Sequence, residues 1–206
     1  MIQENPVTHL CSKRYKPEID RTAFIHPLAA VIGHVRVGRA VMVCPFASVR
    51  GDEGHPLFIG ADSNIQDGVV IHSLECEGDG HVLEENLVTF RGKKYAVYVG
   101  KRVSIAHQAQ VHGPALIDDD TFIGMKAFVF RSLVGRHCVV EPGAMVMNVK
   151  VPDGRYVPAG AVLKDRSDAA ALPKITPSYP FKDLNARVIQ VNTSLAAAYM
   201  GTKVKA

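Results

Sequence analysis

Residues 97–113 read VYVGKRVSIAHQAQVHG. An aliphatic residue stands at every sixth position from Val99, giving Val99, Ile105 and Val111, and the series runs on through Ile117, Ile123 and Val129. Four residues after each comes a small or apolar one: Val103, Ala109, Ala115, Thr121, Ala127 and Leu133. After a five-residue step the phase resumes at Val134, Val140 and Val146, then at Val151, Val157 and Leu163. Upstream it is already present at Val37, Val43 and Val49, and again at Ile59, Ile65 and Ile71. An amphipathic α-helix would need apolar spacing near 3.6, which this region lacks. A sandwich of short strands has no reason to hold so many hexads in phase. Period six with inward aliphatics fits a triangular parallel β-helix, three short strands to a coil of about 18 residues. Glycine often follows the aliphatic residue, as in Val99-Gly100 and Ile123-Gly124. It suits corners where a side chain would clash or φ must be positive.

Working outward, residues 1–22 are polar and irregular and are expected to form an arm against the first coil. Residues 23–164 form the β-helix, with a four-residue excess near 51–56 that should bulge as a loop. Residues 73–96 break the period and carry Glu75, Glu77, Asp79, Glu84 and Glu85. They read either as a solvated hairpin excursion or as an acidic flap over a site, since loops on rigid scaffolds often carry function. Residues 165–206 form a linker and a closing helix over about 183–200. There Leu184, Val188, Val191, Leu195 and Tyr199 make one helical stripe that can pack along the β-helix.

The 24 basic and 20 acidic residues leave a net charge of +4 without a basic cluster. With no Trp and 7% aromatic residues, the chain gives little support for nucleic-acid binding. No apolar run is long enough to span a membrane. The segment MIQENPVTHLCSKRY lacks the apolar core of a signal peptide. A cytoplasmic location is expected unless an export signal preceded Met1. Cys11, Cys44, Cys76 and Cys138 form no CxxC pair and read as buried thiols.

Three histidines stand in the repeat. His72 follows Ile71 by one residue and His112 follows Val111 by one, so they share a face if residues 73–96 preserve register. His107 lies two after Ile105, on the preceding face. Bringing all three to about 2 Å from one ion is most economical if one is borrowed from a neighbouring subunit. A homo-oligomer with three-fold packing is therefore expected. Three neutral imidazoles leave a fourth metal position open to water, whose pKa would fall to about 7. Glu53 and Glu75 fall four after Val49 and Ile71, where the repeat wants apolar side chains, so each must be solvated or paired. Arg50, Asp52 and Asp67 supply ion-pair partners across a packed interface, and Glu53 is a candidate proton acceptor.

The motifs SVRGDEG, SNIQDGVVIHSLE, VSIAHQAQVHGPA and PDGRYVPAGAV, taken together, resemble those of the γ-class carbonic anhydrases over nearly the whole chain. The resemblance implies a left-handed β-helix, a handedness that periodicity does not show. It implies a homotrimer with one Zn2+, Fe2+ or Co2+ per subunit at the subunit interfaces, held by His72 and His112 of one chain and His107 of the next. The implied activity is reversible hydration of CO2 to bicarbonate and a proton. Glu53 then corresponds to the catalytic carboxylate, Gln66 to the residue that orients water, Glu75 to the proton shuttle and Asn192 to a site-lining amide. Arg50, Asp52 and Asp67 match interface salt-bridge positions. Two other functions use such a scaffold. A hexapeptide-repeat CoA-dependent acyltransferase needs one catalytic histidine and leaves RGDEG and IQDG without a task. A non-catalytic scaffold domain related to CO2 and bicarbonate handling would carry further repeats downstream.

Overall fold

All eighteen sixth-position aliphatics named above point inward and are buried, from Val37 to Leu163. Complete burial of one such side chain contributes roughly 1.5–3 kcal/mol. The stack of them is a single core running the length of the molecule. The structure is a computed structural model and describes residues 1–78 and 80–201. Asp79 of the acidic segment and residues 202–206 lie outside the described residues.

The strands form three parallel sheets of eight, seven and seven strands, one sheet to each side of a triangular prism. The eight-stranded first face contains Ser48–Gly51, Val70–His72 and Gln110–His112. The second contains Leu57–Ile59 and Val97–Val99, and the third Asn64–Ile65 and Ser104–Ile105. The chain passes from second face to third to first and begins again. This is the left-handed parallel β-helix of the hexapeptide-repeat proteins.

At the corners the two reasons for a small residue separate. Ala40, Asp62, Arg102, Asp120 and His137 all have positive φ and stack at the corner between the second and third faces. The glycines that follow the aliphatics do not have positive φ; they are small because successive coils touch there. A Cβ on Gly60 would lie 2.4 Å from the Gly100 carbonyl oxygen, and one on Gly100 would lie 2.6 Å from Asp119 Oδ1. Leu133 is also not where the hexad count puts it. It is exposed, and Ser132 takes the buried place, its hydroxyl donating to the Phe130 carbonyl at 2.8 Å, with the Val146 carbonyl also within 3.2 Å, and accepting from the Val149 amide at 3.2 Å. The short step in the repeat falls before residue 132, and a hydroxyl pairs the backbone groups that the shortened corner exposes.

The first 22 residues are more integrated than an outer arm. Ile2–Gln3 pairs in parallel with Val31 and Ile32 to end the first face, and Glu18–Ile19 pairs with Arg36 and Val37 on the second. Residues 73–96 form two antiparallel hairpins, Glu77–Gly78 with His81–Val82 and Val88–Phe90 with Lys93–Tyr95. The second hairpin lies down on the second face, where Phe90 stacks on Tyr98 at 4.1 Å and Tyr98 on Phe58 at 5.2 Å. Half of the excursion is thus docked by aromatic packing, and the acidic half stands free of that cluster.

After the last coil come a short helix α1 (Arg166–Ala170) and the closing helix α2 (Leu184–Tyr199). The sixteen residues of α2 span about 24 Å, the height of about five coils. It descends the third face from Asn185, whose amide donates to the Arg102 carbonyl at 2.8 Å, to Tyr199, stacked on Phe24 at 4.5 Å. The expected apolar stripe is only partly covered. Asn185, Asn192 and Ala196 are buried against the sheet, whereas Val191, Leu195 and Tyr199 are 57%, 42% and 61% exposed. Among the described residues no helix is long and apolar enough to cross a membrane. The four cysteines are free and buried.

Candidate metal centre and active site

Ile71 and Val111 face the core on adjacent strands, which turns the next residue on each strand outward. His72 and His112 are therefore direct partners in register, despite the hairpins inserted between their coils. Their ring centroids are 5.5 Å apart, with planes at 82°. Two imidazoles bound tetrahedrally at 2.0–2.1 Å to one ion would place ring centres about 5 Å apart, so the pair fits a shared metal. His112 Nδ1 lies 3.2 Å from the Gly113 carbonyl, to which it can only donate, leaving Nε2 as the free lone pair. Burial holds the His112 ring below its ordinary pKa, against the opposing pull of that carbonyl, and His72 pushes the same way as burial. It is a neutral imidazole at pH 7, the form that binds metal.

A bulge at residues 51–56 brings the carboxylates to this pair. The chain leaves the first face after Gly51 and rejoins the ladder at Leu57, so Asp52 and Glu53 stand on a loop and not at core positions. His72 Nε2 lies 3.2 Å from Asp52 Oδ1 and 3.3 Å from Glu53 Oε1. Arg50 grips Asp52 through Nη2 at 3.0 Å and Nε at 3.1 Å. Burial pushes the Asp52 carboxyl up, but hydrogen bonds from His72 and Arg50 outweigh it and hold the group below the usual carboxylate range. Glu53 goes the other way. Burial raises it, His72 and Arg50 oppose, and the negative charges of Asp52 and Glu75 add to the rise. Two adjacent carboxylates thus have their proton affinities pushed apart, the arrangement that separates an acid–base group from a structural one. Glu75 is exposed at the root of the acidic hairpin.

His107 is elsewhere. It sits at the corner between the third and first faces, two residues past Ile105, and Asp67 holds the same corner place one coil earlier. His107 Nδ1 is 3.0 Å from Asp67 Oδ2, which leaves Nε2 pointing away as a possible ligand. It borders a cleft of about 650 Å³ between α2 and the third face, shared with Gln66, Asn192, Leu195 and Val191. Gln66 donates from Nε2 to Asn64 Oδ1 at 2.9 Å, and Asn64 donates to Ser104 Oγ at 3.0 Å. Asn192 donates to the Val188 carbonyl in its own helix at 2.9 Å.

The residues singled out from the sequence thus fall into two sets on different sides of the prism. His72, His112, Arg50, Asp52, Glu53 and Glu75 make one; His107, Asp67, Gln66 and Asn192 make the other. Among the described residues, no group of three or more His, Cys, Asp or Glu side chains within one chain is placed to hold a metal. Within one chain Arg50 pairs with Asp52, and Asp67 with His107. Sequence reasoning passes over Asn64 and Ser104. Both sit just before an inward isoleucine and are fully buried, which nothing in the hexad pattern signals.

This fold and these imidazoles define a hexapeptide-repeat β-helix protein of the kind that can carry histidine-bound metal. Among solved structures the chain is similar to an assigned acetyltransferase of Bacillus cereus, with TM-score 0.71 and 19% identity over 97% of both chains. It is also similar to a hexapeptide transferase family protein of Anaplasma phagocytophilum, with TM-score 0.55 and 22% identity over 90% of this chain and 93% of that one. Those two likenesses establish the fold alone. No protein-family profile matches the chain. It is 52% identical over 202 residues to a carbonic anhydrase of Methanosarcina thermophila, covering 98% of this chain and 82% of that one. It is 35% identical to an Arabidopsis thaliana protein named gamma carbonic anhydrase 1, mitochondrial, over 67% of this chain and 46% of that one. A carboxysome assembly protein of Nostoc is 41% identical over 89% of this chain, which spans 31% of that protein's length. The chain belongs to the γ-class carbonic anhydrases.

Proposed function

We propose that this protein catalyses the reversible hydration of CO2 to bicarbonate and a proton, at a metal held between two subunits of a homotrimer. His72 and His112 come from one subunit and His107 from its neighbour. The observation that carries the reading is the division of the donors into two complementary half-sites. One offers two paired imidazoles beside acid–base carboxylates, the other a single imidazole beside amides and an apolar cleft. The uncovered Val191 and Leu195 beside that cleft favour a second copy packing there.

A divalent ion bound by three imidazoles supplies Lewis acidity, which makes water a competent nucleophile at neutral pH. Zinc, iron(II) and cobalt all suit such ligands. The protein's own groups do the rest. Glu53, its proton affinity raised by burial and by its acidic neighbours, accepts and returns the proton of the attacking water. Gln66 has its Nε2 tied to Asn64, which fixes the amide and leaves Oε1 to orient that water. Asn192 and the apolar wall of the cleft receive the linear, uncharged CO2. Glu75, exposed at the rim, passes the proton to buffer. Arg50 holds Asp52 ionised, and Asp52 keeps Glu53 from sharing its charge.

Stopped-flow CO2 hydration by anaerobically metal-loaded protein tests the reading. Turnover abolished by chelation and restored by metal is expected. A metal-loaded trimer without hydration activity overturns it.

A further inference from the structure

The loop that carries Asp52 and Glu53 is closed by one residue of the neighbouring coil. His34 donates its amide to the Gly51 carbonyl at 2.7 Å and accepts from the Leu57 amide at 2.9 Å. Its Nδ1 lies 3.2 Å from the Gly54 carbonyl, inside the loop. Backbone therefore pins the two ends of the bulge, and the ring pins its middle, one residue from Glu53. The approach is too close for side chains. A Cβ on Gly51 would lie 2.5 Å from the His34 carbonyl oxygen, and one on Gly33 would lie 2.5 Å from that of Gly51.

A carbonyl only accepts, so His34 must hold its proton on Nδ1. Burial lowers the ring's pKa, with the Gly54 carbonyl pulling the other way, so the ring is neutral at pH 7. Tyr15 lies flat on it, with centroids 3.9 Å apart and planes within 7°. Tyr15 is itself presented by a knot in the N-terminal arm. Buried Asn5 donates to the Lys13 carbonyl at 2.9 Å and to Cys11 Sγ at 3.3 Å, and accepts the Tyr15 amide at 2.8 Å. Farther along the arm, Ser12 Oγ donates to Glu77 Oε2 at 3.2 Å, at the base of the acidic hairpin. The Cys76 amide in turn donates to the Glu53 carbonyl at 3.0 Å.

We propose that His34, clamped in place by Tyr15, is a positioning residue that sets the reach of Asp52 and Glu53 toward His72, and that the N-terminal arm exists in part to hold this clamp. The inference rests on the reading that Glu53 acts in CO2 hydration. His34 touches neither substrate nor metal ligand, so its loss should leave metal binding and substrate affinity alone while spoiling the geometry of proton transfer. A displacement of about 1 Å in such a group can cost up to 10²-fold in rate.

The experiment compares His34→Ala, His34→Asn, Tyr15→Ala and Tyr15→Phe with the parent protein. Measured are kcat and KM for CO2 hydration, metal per subunit, and amide hydrogen exchange at residues 52–57. The His34→Ala protein should lose about tenfold or more in kcat with KM and metal content unchanged. Asparagine can place its Nδ2 where the imidazole Nδ1 stood, so His34→Asn should return most of the lost rate. Tyr15→Phe keeps the stack and should behave as the parent; Tyr15→Ala should fall between parent and His34→Ala. A wild-type kcat in His34→Ala, or equal impairment of the alanine and asparagine proteins, overturns the proposal. Should His34→Ala fail to fold, Tyr15→Ala, which removes only the stack, carries the same test. If the parent itself does not hydrate CO2, the functional reading fails. The exchange data then judge the clamp alone: faster exchange confined to residues 52–57 in the His34→Ala or Tyr15→Ala protein sustains it, and unchanged exchange overturns it.

Discussion

Glu53 and Asp52 show how two identical functional groups on one loop acquire opposite shifts in proton affinity. Both are partly buried; at Asp52 hydrogen bonds from His72 and Arg50 outweigh burial, whereas at Glu53 burial dominates and the charges of Asp52 and Glu75 add to it against His72 and Arg50. Replacing Glu53 by Ala should lower kcat for CO2 hydration by about 10²-fold or more, with metal content and trimer unchanged. Turnover within a few-fold of the parent would remove it from the mechanism. The raised carboxyl also has a stability signature. A group whose folded pKa lies above its unfolded value stabilises the fold at low pH, and that contribution is lost as pH rises through the folded pKa. Glu53→Gln should therefore melt higher than the parent at pH 7, and the gain should vanish near pH 4, read by calorimetry of metal-free protein. Glu75 stands exposed beside it. A Glu75→Ala protein should hydrate CO2 slowly in dilute buffer and recover in concentrated imidazole; a rate independent of buffer would exclude the shuttle.

At the scale of the strand and corner, space matters more than conformation. Gly60 has an ordinary φ but no room for a Cβ, with backbone atoms of Gly100 at 2.4 and 2.5 Å, whereas Gly143 has φ +70 and open space around it. Gly60→Ala should thus cost more than Gly143→Ala: about 3 kcal/mol or more for forcing coils apart, against about 1 kcal/mol for a left-handed residue. Thermal melts would rank them, and the reverse order would refute the close-approach account. The same distinction explains what was legible in the sequence. Inward aliphatics at period six are read by counting, and they set the direction of every neighbouring side chain, so the pairing of His72 with His112 was within reach. The clamp at His34 and the amide chain Gln66–Asn64–Ser104 were not. They depend on contacts between coils at positions that carry no hydrophobic signal. The Leu133 register also misled, because an aliphatic at the surface and one in the core look alike where the repeat shortens. The α2 stripe holds only in part: Leu184 and Val188 pack on the core, while two asparagines share its buried side.

For the whole molecule, the half-sites predict complementation. A His107→Ala chain retains the paired imidazoles, and a His72→Ala chain retains the lone one. Each alone should form metal-poor, inactive trimers. Refolded or coexpressed together in equal amounts, random assembly should restore about a quarter of the interfaces, with metal and activity in proportion. No recovery in mixed trimers would refute a metal shared between the two half-sites.

The bulge at residues 51–56 and the hairpins of residues 73–96 leave the prism at the same corner, between the first and second faces, on successive coils. The ladder on either side does not register their length, since Val70–His72 and Val97–Val99 pair with their neighbours without a slip. Closing a longer loop across fixed ends costs only about 0.6 kcal/mol for each doubling of its length. The corner is consequently a docking port for foreign sequence. Loops of very different size leave it on successive coils while the imidazoles beneath keep their spacing.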